Sequence, residues 1–392
     1  MTHAIPHAIR SALVVAGLAV AALAASTAPA HADVRVGVLF SATGPGASVG
    51  LPQQRTVDIL PKTLGGEKVD YIALDDASDP TNAVKNARRL ITEDKVDIVL
   101  GPSLTPNSLA LLDVMTEAQV PMISNAASAS IVEPVDARRK WIFKTPQNDA
   151  MMTTLLTQHM RDNGSKNVAI IAFNDAYGEG WIREFTKLAD LRGLNVVAVE
   201  RYVRTDPSVT GQVLKLLAAN PDTVFIAASG TPAVLPQAAL AERGFKGKVY
   251  QTHGVANNDF LRVGGKVLEG TFVPAGPVLV AEQLPDSHPS KKPSLVFIKK
   301  YEAIPGAGAR STFAAYLWDA TLILDRAIAQ AKRSASPGTP EFRRALRDAI
   351  EQTKDLVATN GVYNLSPTDH LGLDQRSRVM TQIRDGKWVL IQ

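Results

Sequence analysis

Serine and threonine residues follow two predicted strands in the first third of the chain. Ser103 and Thr105 come just after the apolar segment 96–100, and a second pair, Ser128 and Ser130, comes after the next apolar segment. A helix is predicted to start after the first pair, and the unpaired N–H groups of a helix N-terminus favour an anion. Hydroxyl and N–H donors together are suited to binding a carboxylate.

Each hydroxyl residue also has a simpler explanation, because serine and threonine are common helix caps. For a single loop, this explanation is sufficient. Two hydroxyl loops at the ends of adjacent strands are less easily explained by capping alone, so the carboxylate hypothesis stands beside it.

The elements that must position these loops form a βαβ unit. The pattern predicts a buried strand over 96–100, a helix over 107–118 and a second strand over 120–124. In a parallel sheet the carboxyl ends of both strands reach the same edge, where α/β proteins bind ligands. The two hydroxyl loops are therefore expected to lie side by side.

Two further candidates lie in the second half of the chain. Tyr177 follows the predicted strand 167–173, and His253 follows the predicted strand 248–251. A lone tyrosine or histidine is more often a structural residue than a functional one. Their shared position at strand ends supports a functional role equally well, and the sequence leaves both explanations open.

Strands and helices alternate along most of the chain. Beyond the first βαβ unit, the predicted helices are 150–161, 179–191, 208–219 and 232–243, and the predicted strands are 167–173, 195–201, 223–228 and 248–251. This alternation predicts the α/β class, with parallel sheets covered on both faces. Near the C-terminus, the Asp-Gly pair at 385–386 predicts a β-hairpin.

The N-terminus carries an apolar run, residues 11–25, followed by small residues in an A-x-A pattern. This is typical of a secretory signal peptide, predicted as residues 1–32, with Asp33 as the first mature residue. Roughly 360 residues then remain, which is enough for two domains with sizeable cores.

The composition excludes several kinds of site. There are no cysteines, so disulfide-stapled folds and thiolate zinc sites are excluded. The histidines after residue 32 show no paired ligand spacing. Gly44, Gly46 and Gly50 match a dinucleotide fingerprint imperfectly, because the third glycine comes one residue late. No metal or cofactor is expected. The basic residues are scattered among acidic ones, which does not favour nucleic-acid binding.

Four stretches, taken together, resemble a known family. They are VGVLFSATGP, LDDASDPTNAVKNARRL, VLGPSLT with its partner PMISNAASAS, and FNDAYGEGW. They are similar to the type I periplasmic solute-binding proteins of ABC importers, in the Leu/Ile/Val-binding branch. The resemblance covers essentially the whole chain after residue 32.

The resemblance implies two doubly wound α/β lobes joined by three crossovers. Lobe 1 would comprise residues 33–145 plus 275–359, and lobe 2 would comprise residues 146–274 plus 360–392. A small carboxylate ligand would bind between the lobes, and their closure would bury it. The implied protein is a periplasmic monomer that delivers its ligand to an inner-membrane ABC permease and catalyses no reaction.

The same resemblance implies roles for individual residues. Thr105 and Ser128 would hold the ligand carboxylate through hydroxyl and backbone N–H groups, and the Ala126 carbonyl and the Ser128 hydroxyl would face the group on the α-carbon. Tyr177 would close over the ligand from lobe 2. The remaining candidates are Ser103, Ala127, Ser229, His253 and Val49.

The chain departs from the amino-acid binders at three points. His253 stands where they carry a glutamate that pairs with the ligand ammonium, and Val49 and Ser229 stand where aromatic residues are usual. A buried ammonium without a carboxylate partner is costly. These changes favour an aromatic or 2-oxo carboxylate over leucine, isoleucine or valine. Asp175 could still reach an ammonium in the folded pocket.

Two other functions compete with this one. An exported serine hydrolase would need a Ser-His-Asp set, and the sequence identifies no serine that can be paired with His253. A ligand-sensing domain of a signalling protein shares the fold and normally continues into a membrane segment, which does not follow before Gln392.

Overall fold

The computed structural model describes residues 33–391, and the predicted signal peptide, residues 1–32, lies outside the described residues. The chain forms two large sheets in this range, one built from its first part and one mainly from its middle. We call the elements around the first sheet lobe 1 and those around the second sheet lobe 2. The predicted α/β class with two lobes is confirmed.

The sheet of lobe 1 has six strands in the order β2-β3-β1-β4-β5-β6. They are β1 (Val34–Phe40), β2 (Thr63–Leu64), β3 (Glu67–Asp75), β4 (Ile98–Leu100), β5 (Met122–Ser124) and β6 (Ile142–Lys144). All pairings are parallel except that of β2 with β3. The central strand β1 is apolar nearly throughout, as a parallel strand covered on both faces requires.

The sheet of lobe 2 has seven strands in the order β15-β14-β11-β10-β9-β7-β8, while β12 and β13 pair separately. The seven strands are β7 (Asn167–Phe173), β8 (Asn195–Tyr202), β9 (Thr223–Ala227), β10 (Lys248–Gln251), β11 (Phe272–Ala275), β14 (Val379–Arg384) and β15 (Lys387–Leu390). The separate pair is β12 (Leu356–Val357) and β13 (Val362–Tyr363). The predicted hairpin is confirmed: β14 and β15 are antiparallel, and Asp385 and Gly386 both have positive φ.

Helices cover both sheets. They are α1 (Ala47–Thr56), α2 (Pro80–Thr92), α3 (Thr105–Ala110), α4 (Leu112–Ala118), α5 (Asp149–Asp162), α6 (Ala176–Ala189), α7 (Thr210–Ala218), α8 (Val234–Glu242), α9 (Asn258–Gly264), α10 (Lys291–Glu302), α11 (Thr312–Ala331) and α12 (Pro340–Glu351). None of these helices is long and apolar enough to cross a membrane.

Two predicted helices differ from the structure, and one helix was missed. The single helix expected over 107–118 is two helices, α3 and α4, with a break at Leu111. The helix after β7 begins at Ala176 rather than 179, because Asp175 caps it by accepting the N–H groups of Tyr177 and Gly178. The short helix α9 was not predicted. It begins after Asn257, whose side chain caps it.

Each lobe has its own apolar core. Val36, Phe143 and Leu317 belong to the core of lobe 1, and Ile170 and Phe225 belong to that of lobe 2. The lobe 1 core also includes four residues beyond the predicted boundary at 359: Tyr363, Leu365, Leu371 and Leu373. These contacts favour a later third boundary, and the predicted divisions after 145, 274 and 359 remain predictions.

A buried carboxylate of α11 accepts hydrogen bonds from the chain segment that follows α12. Asp319, on α11, is fully buried. Its Oδ1 accepts the backbone N–H of Thr359 at 3.0 Å and its Oδ2 accepts that of Asn360 at 3.0 Å. The Thr359 hydroxyl and the Asn360 amide donate to the same carboxylate. The chain segment that follows α12 is therefore anchored to the middle of α11.

Replacing Asp319 with asparagine should destabilise the protein. The new amide would direct its own protons at the Asn360 donors, and buried donors without an acceptor should lower the free energy of unfolding by about 2–4 kcal/mol. Urea unfolding near pH ~7.5 measures this change, since burial raises the pKa of Asp319 only to about 6. Asp58→Asn, at an exposed position, is the control. Equal stability of Asp319→Asn and wild type would show that this anchor is dispensable.

Candidate ligand-binding site

A cavity lies between the two lobes. Eight of the predicted site residues line it: Val49, Ser103, Thr105, Ala126, Ala127, Tyr177, Ser229 and His253. Most come from loops at the carboxyl ends of parallel strands, β4 and β5 in lobe 1 and β7, β9 and β10 in lobe 2. The rule that places ligands at this edge of an α/β sheet therefore identifies the cavity wall in both lobes.

Ser128 is the predicted site residue that does not line the cavity. Its hydroxyl bonds to the Ser130 hydroxyl at 3.0 Å and donates to Asp149 Oδ2 at 3.1 Å. The side chain is thus engaged by the protein itself. The backbone N–H of Ser128, like that of Ala127, has no hydrogen-bond partner within residues 33–391.

Thr105 differs from the other hydroxyl residues of the site. Its Oγ1 is buried and has no hydrogen-bond partner in the described chain. It does not cap α3, since the residue at the cap position is Leu104 and no side-chain cap bond is made. The capping explanation is therefore wrong for Thr105, and its hydroxyl is available to a ligand.

The hydroxyls of Ser103 and Tyr177 bond within the protein. Ser103 Oγ donates to Gln53 Oε1 at 2.5 Å and accepts the N–H of Ser41 at 3.1 Å. The Tyr177 hydroxyl bonds to Thr252 Oγ1 at 2.8 Å. These residues shape the cavity, and their rings or backbone rather than their hydroxyls are free to contact a ligand.

His253 presents a neutral imidazole to the cavity. Burial, assisted by the nearby charge of Lys144, lowers the pKa of His253 to about 3, against a smaller opposing effect of the Gln147 backbone. Neither ring nitrogen has a hydrogen-bond partner within residues 33–391. A neutral imidazole carries one donor and one acceptor, so it can bind a carbonyl or hydroxyl oxygen.

Arg204 is a cavity residue that the sequence analysis missed. Its Nε donates to Asp175 Oδ2 at 2.7 Å, and its Nη1 donates to Ser229 Oγ at 3.0 Å. The guanidinium lies 4.0 Å from the ring centroid of Phe173. It is the one charged side chain of the described chain that lines the cavity. Arg204 follows strand β8 by two residues, so the same strand-end rule could have found it.

An apolar wall lies on the lobe 1 side. Val49, Leu104, Phe313 and Tyr316 form a small buried cluster, and all four line the cavity. Phe313 and Tyr316 come from α11, far along the chain from the strand-end loops. They supply the aromatic surface that is missing at Val49 and Ser229.

The lobes touch directly beside the cavity. Ser48 Oγ accepts the N–H of Thr231 at 2.9 Å, and the Ser48 carbonyl accepts the Asn257 amide at 2.7 Å. Ser48 lies in a G-x-S-x-G sequence, Gly46 to Gly50, which also occurs at the nucleophile of serine hydrolases. Here the serine lies inside α1, and its hydroxyl is bonded to no histidine of residues 33–391. Its contacts join the lobes.

These features define a class of protein: two α/β lobes that enclose one cavity at the facing edges of their sheets. The family model of periplasmic binding proteins matches residues 33–387. The chain belongs to this family, in its type I form and in the Leu/Ile/Val-binding branch, as the sequence motifs predicted. Its members bind solutes and are not enzymes.

Individual relatives are consistent with this family assignment. An extracellular ligand-binding receptor from Rhodopseudomonas palustris HaA2 is 48% identical, with a TM-score of 0.89 over 92% of this chain and 100% of that one. Leu/Ile/Val-binding protein homolog 3 of Brucella melitensis is 26% identical over 65% of this chain and 70% of its own length. A solute-binding protein of an ABC transporter from R. palustris, solved in complex with benzoate, shares the fold at 20% identity, with a TM-score of 0.79 over 92% and 96% of the two chains.

Replacing Gly230 with alanine should prevent the lobes from closing. Gly230 has φ +65°, and a Cβ there would lie 2.5 Å from Ser48 Oγ of the opposite lobe. For a ligand that binds between the lobes, we expect the affinity to fall by more than about tenfold. Small-angle scattering with benzoate as the probe, the ligand of the R. palustris solute-binding protein, should show no decrease in the radius of gyration.

Gly244→Ala is the matched control, since Gly244 has φ +71° and no atom lies within 4 Å of the added Cβ. It carries the same backbone strain without the clash, so it should retain binding and compaction. If Gly230→Ala behaves like this control, contact between Ser48 and residue 230 does not limit closure.

Proposed function

We propose that this protein is the periplasmic substrate-binding component of an ABC importer and that it binds a small organic carboxylate without an ammonium group. Aromatic and 2-oxo acids are preferred over leucine, isoleucine and valine. A signal peptide, residues 1–32, directs export to the periplasm. There the protein acts as a monomer that closes around its ligand and delivers it to an inner-membrane permease.

Unpaired donors on the lobe 1 side carry this proposal. The Thr105 hydroxyl and the backbone N–H groups of Ala127 and Ser128 have no acceptor among the described residues. Thr105 and Ser128 are buried and Ala127 is half-buried, and buried donors are normally satisfied, so an acceptor is expected from the ligand. Hydrogen bonds to a charged group are worth roughly 1.5–3 kcal/mol each, so three of them supply about 4.5–9 kcal/mol, a range that includes the ~8 kcal/mol of a complex near 1 µM.

The acidic groups near the cavity argue against an ammonium ligand. No aspartate or glutamate of the described chain lines the cavity. Asp175, the residue that could have replaced the missing glutamate, is bonded to Arg204 and to the N–H groups that begin α6. His253 is neutral. An amino-acid ammonium would therefore be buried without a counter-charge, which is costly.

The opposite wall favours a ring. Phe313 and Tyr316 offer aromatic faces that can stack on a planar group. Arg204 and His253 offer donors at the lobe 2 side for a carbonyl, hydroxyl or second carboxylate on such a ring. A protein of this fold from R. palustris binds benzoate, which is a ligand of the proposed kind.

Calorimetric titration with benzoate, phenylpyruvate, benzoylformate and leucine tests the proposed ligand class. At least one of the three acids without an ammonium should bind with micromolar affinity or better, and leucine should bind at least about tenfold more weakly, because its ammonium finds no carboxylate. Tight binding of leucine with no response to the other three compounds would overturn the proposal.

Thr105→Val tests the predicted carboxylate contact. The variant removes a donor and should weaken each carboxylate that binds by about 1–3 kcal/mol, roughly 5- to 150-fold. The ligand-free protein should keep its stability, because the Thr105 hydroxyl has no partner to lose. Calorimetry and thermal unfolding measure the two effects.

Thr92→Val, at an exposed helical position, should leave binding unchanged. Undiminished affinity in Thr105→Val would mean that the ligand makes no hydrogen bond to this hydroxyl.

A further inference from the structure

Lys144 is a buried ammonium beneath the cavity wall. It ends strand β6, and its side chain has no solvent-exposed surface. Nζ donates to the carbonyl oxygens of Ala127 at 2.6 Å and Pro146 at 2.8 Å. Ala127 and Pro146 both line the cavity. Lys144 thus lies one peptide group behind the surface that a ligand would touch.

The charge of Lys144 is not neutralised by direct contact. Within residues 33–391 it forms no ion pair, and both of its hydrogen bonds go to neutral carbonyls. The carboxylates of Asp149 and Glu133 attract it at longer range. Asp149 is itself bonded to Ser128 Oγ and to the N–H of Ala129. Buried lysines are almost always paired, and no carboxylate bonds to this ammonium directly, so an anion in the cavity can still gain from its charge.

The peptide group between Ala127 and Ser128 connects Lys144 to the cavity. In a trans peptide the C=O and N–H bonds point in opposite directions. Because Nζ binds the carbonyl oxygen of Ala127, the N–H of Ser128 is directed away from Lys144. That N–H has no partner in the described chain. The ammonium therefore orients a free donor and polarises the peptide toward an anion.

We infer that Lys144 is a positioning residue for the bound anion: it fixes the Ala127–Ser128 peptide and provides the buried positive charge that a carboxylate in the cavity balances. This inference rests on the proposed carboxylate ligand. It assigns the preference for anions to a residue that does not touch the ligand. A ligand ammonium is disfavoured by the same charge.

The protonation of Lys144 should make ligand affinity depend on pH. Burial lowers the pKa of Lys144 to about 7, although Asp149 and Glu133 oppose the shift. A bound anion stabilises the ammonium and raises this pKa, so binding takes up a proton above about pH 7 and affinity falls as pH rises. His253, which also faces Lys144, has a pKa lowered to about 3 and does not titrate in this range.

The test compares Lys144→Met with wild type, using benzoate and calorimetry from about pH 6 to about pH 9. Wild-type affinity should be constant up to about pH 7 and then fall by up to about tenfold per pH unit. Lys144→Met should bind about 10- to 100-fold more weakly near pH ~6, with little change at higher pH. Lys140→Met, an exposed lysine on the same segment, should match wild type.

Thermal unfolding without ligand separates this role from a purely structural one. Removing the buried charge is favourable, whereas leaving the carbonyl oxygens of Ala127 and Pro146 without a donor is not, so the midpoint of Lys144→Met should stay within about 5 °C of wild type. A larger fall, or a failure to fold, would identify Lys144 as a structural cross-link only and overturn the inference. Benzoate affinity in Lys144→Met equal to wild type, with the same pH dependence, would also overturn it.

Wild type alone provides a further check. Titration with benzoate in phosphate and in Tris near pH ~8 should reveal proton uptake, because the two buffers differ in ionisation enthalpy. Binding without proton uptake would contradict the inference. Absence of benzoate binding by wild type would count against the proposed aromatic ligand instead, and the thermal midpoints would still judge the buried charge.

Discussion

The hydrogen bonds of Gln147 join the cavity to the connections between the lobes. The ring of Tyr316 lines the cavity, and its hydroxyl donates to Gln147 Oε1 at 3.0 Å. Gln147 Nε2 donates in turn to the carbonyl oxygens of Ser377 at 2.5 Å and Asn360 at 3.3 Å. One buried amide thus ties the segment after β6 to the segments before β13 and before β14. Gly276 packs closely against the same place, since an added Cβ there would meet Asn360 Oδ1 at 2.2 Å. The wall of the cavity is therefore hydrogen-bonded, through Gln147, to two other segments of the chain.

Much of this arrangement follows from the sequence, because two simple regularities carry it. Apolar strands alternating with helices predict parallel sheets, and ligand loops then follow the carboxyl ends of the strands. This reasoning placed Thr105, Tyr177 and His253 at the cavity.

Sequence reasoning failed where the position of a residue depends on long-range packing. Phe313 and Tyr316 reach the cavity from the side of a buried helix, and nothing in their local sequence distinguishes them from core residues. The break between α3 and α4 could not be predicted either, because the apolar periodicity of the sequence continues across it.

Side-chain direction is the second limit of sequence reasoning. Six hydroxyl residues were predicted to form the site or its loops, yet five of them bond within the protein: Ser103, Ser128, Ser130, Tyr177 and Ser229. The Thr105 hydroxyl alone is left unpaired. The residue type shows that a hydrogen-bond donor is present, whereas the packing of the loops decides which acceptor that donor bonds to. Asp175 shows the same limit. From the sequence, its carboxylate could have paired with a ligand ammonium, but in the structure it accepts hydrogen bonds from Arg204 and from the N-terminus of α6.

The unpaired groups also explain why closure should depend on ligand. Thr105 Oγ1, Asn125 Oδ1 and the ring nitrogens of His253 lie buried without partners when the lobes are together. In an open protein water can satisfy them. Closing an empty cavity therefore leaves several polar groups desolvated, at roughly 1–3 kcal/mol each. A total near 3 kcal/mol disfavours the closed form roughly 150-fold relative to the same form with these groups satisfied. The ligand supplies the missing partners in the closed state only, and this difference between the two states is the free energy that can drive the lobes together.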